Sequence, residues 1–145
     1  MLTKGMFSST TDEWETPQDL FDELNKEFGF TLDVCATEQN AKVNKYYTKS
    51  TNGLNSAWYN NICWMNPPYG RAIGNWVRKA FLENHINHVL TVCLLPARTD
   101  TKWFHDYIYN KAEIRFLKGR LKFGDSKNSA PFPSMIVIFK HTTKQ

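Results

Sequence analysis

The segment VLTVCLL, residues 89–95, is apolar on both of its faces except at Thr91, and Pro96 cuts it off. A half-buried strand alternates apolar with polar residues. One that does not alternate has to be covered on both sides, as a central strand of a parallel sheet is. Parallel neighbours cannot be joined by a tight turn, so the chain must also carry crossover helices.

Thr16-Pro17 before QDLFDELNKEFG predicts a helix start: threonine can cap free amides, and proline suits the first helical position because its φ is preset. Leu20, Phe21, Leu24 and Phe28 share one face of that helix, and Gly29 ends it. FTLDVCA, residues 30–36, reads as a short buried strand. ICWM, residues 62–65, reads as a second, stopped by Asn66-Pro67-Pro68-Tyr69-Gly70; beyond it Ile73, Trp76, Val77, Ala80 and Phe81 recur at helical spacing. TDTKWFHDYIY after Pro96 predicts another capped helix, with Trp103, Phe104, Tyr107 and Ile108 on one side. EIRFL, RLKF and SMIVIF (residues 113–117, 120–123 and 134–139) are expected as closing strands. The pattern is that of an α/β fold, with a mostly parallel sheet, an antiparallel C-terminal strand and helices on both faces. Residues 37–61 are polar and almost aperiodic, with a strand expected only at 45–48. Loops of that size in compact domains usually carry function.

At 145 residues the chain is one ordinary domain. It is expected over residues 14–145, with the polar, Ser- and Thr-rich residues 1–13 as a flexible arm. Aromatic residues make up 14%, more rings than a core needs, which leaves some to face a ligand. No apolar run approaches the roughly 20 residues of a membrane span, and residues 1–13 lack the layout of a secretory signal, so a cytoplasmic protein with no membrane partner is expected. Cys35, Cys63 and Cys93 are odd in number and lie in apolar stretches, which argues against a disulfide framework and a cysteine zinc site. His85, His88, His105 and His141 form no ligand pattern, and no metal is expected. A formal net charge of +4 permits a phosphate-bearing partner without announcing one.

In open α/β sheets ligands bind beyond the carboxyl ends of the strands, which is where Asn66-Pro67-Pro68-Tyr69 falls. The tetrapeptide fits the pattern Asn/Asp/Ser-Pro-Pro-aromatic. It suits methyl transfer to a planar, conjugated nitrogen such as the exocyclic amine of adenine, whose delocalised lone pair is a weak nucleophile. The Asn66 side-chain oxygen and the Pro67 carbonyl could accept from its two N–H groups, stabilise charge developing on nitrogen and turn the lone pair toward the incoming carbon. Pro67 and Pro68 lock the backbone in advance. Tyr69 could stack on a base flipped out of a helix. The plainer alternative is a stiff strand-to-helix connection.

With this corner and the ordered landmarks WETPQDLF, FTLDVCA, NGLNSAW, CWMNPPYG, WVRKAF, LLPARTDTKWFH, IRFLKGRLKFG and SAPFPSMIVIF, the chain resembles the phage-type DNA N-6-adenine-methyltransferase family from Trp14 to about Phe139. The resemblance implies a reduced Rossmann-like methyltransferase fold, S-adenosylmethionine as methyl donor, double-stranded DNA as partner, and Asn66, Pro67, Pro68 and Tyr69 as the catalytic loop. It implies that Trp14, Thr16 and Pro17 help to hold the donor and that Asp33, Cys35 and Ala36 line its amino-acid side. Asn52 lies where the resembled enzymes tend to carry an acidic residue near the donor adenine. Those enzymes often show Asp-Pro-x-x-Gly-x-Gly at the first strand end, whereas LDVCATEQ has no glycine there. Read from the residues alone, Asp33 could equally cap strand-end amides, and helix capping accounts for Thr16 and Pro17.

Phe123 and Phe132 are candidates for a second ring against a flipped adenine, or for core positions. Arg71, Arg98, Arg120 and Lys122 flank strand ends on the ligand side and are candidates for phosphate contacts, or for plain surface charge. The expected activity is methyl transfer to adenine N6 in DNA. The alternatives are RNA adenine or protein glutamine as the acceptor, or a non-catalytic nucleic-acid-binding module of phage origin. A homodimer would enlarge the DNA contact area of so small a chain, and for a phage-encoded protein the cytoplasm is the host's.

Overall fold

A computed structural model of the chain describes residues 14–124 and 129–141; the arm expected at 1–13 lies outside them. Gln18–Phe28 form α1, with Asp19 in the first turn and Lys26 in the last, each opposite in sign to its end of the helix dipole. Gly29 ends α1 in the left-handed region at φ 70°, its N–H returning to the Asn25 carbonyl at 2.9 Å. The expected threonine cap does not form. Pro17 takes the capping position and has no side-chain acceptor to cap with, the Leu20 N–H is taken by Asp19 Oδ1 at 2.9 Å within the first turn, and the Thr16 hydroxyl is engaged elsewhere.

Three parallel strands follow: β1 (Leu32–Asp33), β2 (Ile62–Met65) and β3 (Leu90–Pro96). With β4 (Glu113–Phe116) and β5 (Ser134–Phe139) they make one five-stranded sheet in the order β1-β2-β3-β5-β4, in which β5 runs antiparallel to both neighbours. The sheet is mixed, parallel at the end formed by β1, β2 and β3, and its last strand in sequence is antiparallel as the sequence predicts. The regular part of β1 is shorter than residues 30–36, yet Thr31 and Val34 still donate to the Ile62 and Trp64 carbonyls at 2.8 and 3.0 Å. On its free side Tyr46 bridges Asp33, within the span 45–48 expected to be extended.

Residues opposed across neighbouring strands share a face. The register therefore sends Trp64, Val92 and Ile138 one way and Cys63, Thr91 and Phe139 the other. α1 covers the first face: Phe21 meets Trp64 edge-on at 5.3 Å, and Arg115 of β4 reaches the Glu27 carboxylate with two nitrogens at 2.8 and 2.7 Å. The second helix, α2 (Ile73–Asn87), covers the other, its Phe81 packing on Phe139 at 6.3 Å. Two covered faces explain why VLTVCLL does not alternate: Val92 to Leu95 are all fully buried.

Two segments differ from their sequence patterns. The helix expected after Pro96 keeps its threonine cap, Thr101 Oγ1 accepting the Phe104 N–H at 3.3 Å, but Phe104–Ile108 are wound as a π-helix, the Tyr109 N–H reaching the Phe104 carbonyl at 2.9 Å. Residues 120–123 form no strand. Gly119 and Gly124 hold φ at 75° and 54°, turning the chain at both ends of the segment, and the Leu121 carbonyl accepts from Ala130 at 2.7 Å. Residues 37–61, by contrast, are fastened to the sheet. Trp58 is fully buried with its indole N–H on the Gly53 carbonyl at 2.9 Å, and Tyr47 donates its hydroxyl proton to the Ala57 carbonyl. Among the described residues no helix is long and apolar enough to cross a membrane.

Candidate active site

The carboxyl ends of β1 and β2 border a cleft of about 750 Å³, within the size range of small-molecule sites. Asn66, Pro67 and Pro68, the residues that stop β2, line it. The Asn66 side chain is fixed through its nitrogen, which donates to the Trp14 carbonyl and, at 2.8 Å, to Thr16 Oγ1. A peptide carbonyl can only accept, so the amide end facing Trp14 has to be NH₂. The other end, Oδ1, is buried and has no hydrogen-bond partner among the described residues. Such an acceptor costs about 1–3 kcal/mol to bury unpaired, and a ligand N–H placed there would recover that cost.

Asp33 ends β1 as a second wall of the cleft and is 2% exposed. Its two carboxylate oxygens accept the Cys35 N–H at 3.3 Å and the Lys42 N–H at 3.0 Å, so it does cap strand-end amides as the local reading allowed. Desolvation by burial outweighs those bonds and the nearby Lys42 charge, and pushes the carboxyl up to about 6. Cys35, Ala36 and Asn52 line the same cleft, as do Trp14 and Thr16; Pro17 does not. The cleft thus gathers residues from well-separated stretches of sequence.

Tyr69 lies outside this lining. It is 4% exposed, donates its hydroxyl proton to the Leu94 carbonyl at 3.1 Å, and burial raises its phenol well above the ordinary range. Phe123 and Phe132 meet it at ring distances of 6.4 and 5.6 Å, and Trp14 meets the same two phenylalanines at 5.4 and 5.1 Å. These four rings, Trp14 half-buried and the other three buried, form one cluster beside the corner, mostly in edge-on contact.

The model of a family described as DNA N-6-adenine-methyltransferase (Dam) matches residues 5–145. The chain belongs to this family. It is similar to the DNA N-6-adenine-methyltransferase of Haemophilus phage HP1, 33% identical over 149 residues that cover 97% of this chain and 86% of that protein. It is also similar to the DNA N-6-adenine-methyltransferase of Escherichia phage T1, 36% identical over 112 residues covering 76% of this chain and 46% of that one. The chain therefore spans most of the first relative and under half of the second.

In this Dam-family chain Arg71, Arg98, Arg120 and Lys122 are all exposed, and the Arg98 guanidinium sits over the Phe132 ring at 5.6 Å. Sequence reasoning missed other parts of the cleft. Trp76 lines it from α2, although its helical spacing marked it only as core. Gly53 lines it where a Cβ would stand 2.1 Å from the Val34 carbonyl oxygen, so only glycine lets residues 52–54 approach the end of β1. The Asn-Gly pair was the available signal, since Asn52 itself holds φ at 56°.

Proposed function

We propose that this chain methylates the exocyclic amine of adenine in double-stranded DNA, with S-adenosylmethionine as donor and the target base flipped out, on a reduced Rossmann-like methyltransferase fold. The observation that carries this reading is the buried, unpartnered Oδ1 of Asn66, an acceptor held beside the cleft at the end of β2. The names of the two phage relatives support adenine in DNA as the target.

The cleft suits such a donor in size, and a buried carboxyl at Asp33 suits the ammonium of its amino-acid end. Trp14, Cys35, Ala36 and Asn52 complete the donor side of the proposal. Bound S-adenosylmethionine supplies a methyl carbon already activated by its sulfonium charge. The chain's own task lies with the weakly nucleophilic amine. Oδ1 of Asn66 accepts one N6–H and the Pro67 carbonyl the other, and both oxygens stabilise the positive charge that gathers on N6 as the C–N bond forms and the S–C bond breaks. The extra N6 proton then leaves to water. Pro67 and Pro68 hold the two acceptors in place before the base arrives, so no reorganisation is needed at the moment of attack. Tyr69 stacks on the flipped base, and Phe123 or Phe132 supplies the opposing ring. Arg71, Arg98, Arg120 and Lys122 contact phosphates.

Asn66→Ala tests this reading. Formation of N6-methyladenine in unmodified duplex DNA should fall by at least about 100-fold, the scale of losing one preorganised partner of the developing charge. Calorimetric affinity for S-adenosylmethionine should stay within a few fold, because the amide acts on the acceptor and not on the sulfonium. An active Asn66→Ala variant would show that the corner has been assigned the wrong task.

A further inference from the structure

The Asn66 carboxamide has two ends of similar shape and opposite hydrogen-bonding sense. Nothing in the asparagine itself decides which end is left without a protein partner, and only one orientation leaves an acceptor. Two neighbours decide it. The Trp14 carbonyl accepts from Nδ2, and Thr16 Oγ1 accepts from Nδ2 at 2.8 Å. Turned by half a revolution, the amide would set its oxygen against the Trp14 carbonyl, acceptor to acceptor. The strap that carries both partners is itself tied down: the Trp14 ring packs on Phe123 and Phe132, and the Glu15 carbonyl accepts from the Gly124 N–H at 2.9 Å. Helix capping is excluded as the task of Thr16, because the capping position of α1 is held by Pro17 and the Thr16 hydroxyl meets Asn66 instead.

We infer that Thr16 is a positioning residue for the acceptor oxygen of Asn66, rather than a helix cap or principally a donor contact. The inference rests on the proposed methylation of adenine. Thr16 is 4% exposed, so its hydroxyl meets Asn66 with little competition from water. With that hydroxyl replaced by a methyl group, one amide N–H loses its acceptor and the carboxamide is held at a single point. The oxygen then spends less time on the line of the incoming amine, a loss felt in turnover and not in the affinity for the donor.

The test compares Thr16→Val, nearly the same shape without the hydroxyl, with Thr16→Ser, which keeps it. With unmodified duplex DNA and S-adenosylmethionine, Thr16→Val should lower kcat about tenfold while the calorimetric Kd for the donor and the KM for DNA stay within about twofold. Thr16→Ser should return kcat to within about twofold of the parent. Thr16→Ala gives the same comparison if the valine variant does not fold, and donor binding itself reports folding. A parental kcat in Thr16→Val, a tenfold weaker donor Kd with unchanged kcat, or no recovery in Thr16→Ser would each overturn the inference while methylation by the parent stood. A parent protein that forms no N6-methyladenine would overturn the underlying reading as well.

Discussion

Burial holds the Asp33 carboxyl at about 6 because taking a carboxylate out of water costs more than the Lys42 and Cys35 amides return. In the unfolded chain the same group titrates near 4. The native state therefore binds this proton more tightly, and its contribution to stability is full below about pH 4 and is lost as pH rises through about 6, a change of about 3 kcal/mol. Asn at this position has no such titration. The unfolding free energy of the parent minus that of Asp33→Asn, measured by denaturant titration from pH 4 to 7, should fall by that order as pH rises. A difference that stays flat across this range would mean that Asp33 is already ionised in the folded protein at pH 4.

At the scale of elements, one of the bonds that fasten the long loop is a buried one, the Trp58 indole to the backbone of residue 53. Trp58 donates to the Gly53 carbonyl beneath the cleft, and Gly53 sits where the Val34 backbone leaves no room for a side chain. Trp58→Phe keeps a ring but leaves that carbonyl only the longer bond from the Ser56 N–H at 3.4 Å, which should cost about 1 kcal/mol of stability and weaken donor affinity several-fold by loosening residues 52–54. Denaturant titration and calorimetry on one preparation would check both, and unchanged donor affinity would remove the loop from the site. These contacts also mark where sequence reading stopped. The strands and α1 were legible because burial on one or two faces leaves a period in the chain itself, and Asn66-Pro67-Pro68 was legible because proline fixes its own backbone. The fit of Gly53 against Val34 and of Thr16 against Asn66 joins residues far apart in sequence, and leaves no periodic trace. RLKF misled for the opposite reason: its alternation is strand-like, but the glycines on either side turn the chain, and Phe123 leaves for the ring cluster around Tyr69.

For the molecule as a whole, the formal charge of +4 is modest, so DNA affinity has to come from where the cations sit rather than from how many there are. Arg71 follows the corner, Arg98 follows β3, and Arg120 and Lys122 lie on the segment that carries Phe123 into the ring cluster, all four exposed. If each meets one phosphate, condensed counterions are released in proportion, and log Kobs against log salt should slope at about −3.6, since each neutralised phosphate contributes about −0.9 on duplex DNA. Arg71→Ala and Arg120→Ala should each flatten that slope by about 0.9 and weaken binding to all duplex sequences alike, because phosphate contacts position the protein without reading bases. Arg98→Ala should do more. Its guanidinium lies on Phe132, so its removal also frees a ring proposed to face the flipped base, and turnover should drop along with the slope. Fluorescence anisotropy over a salt series, with turnover measured on the same variants, separates the two effects. Slopes unmoved by all three substitutions would place the DNA on another face of the protein.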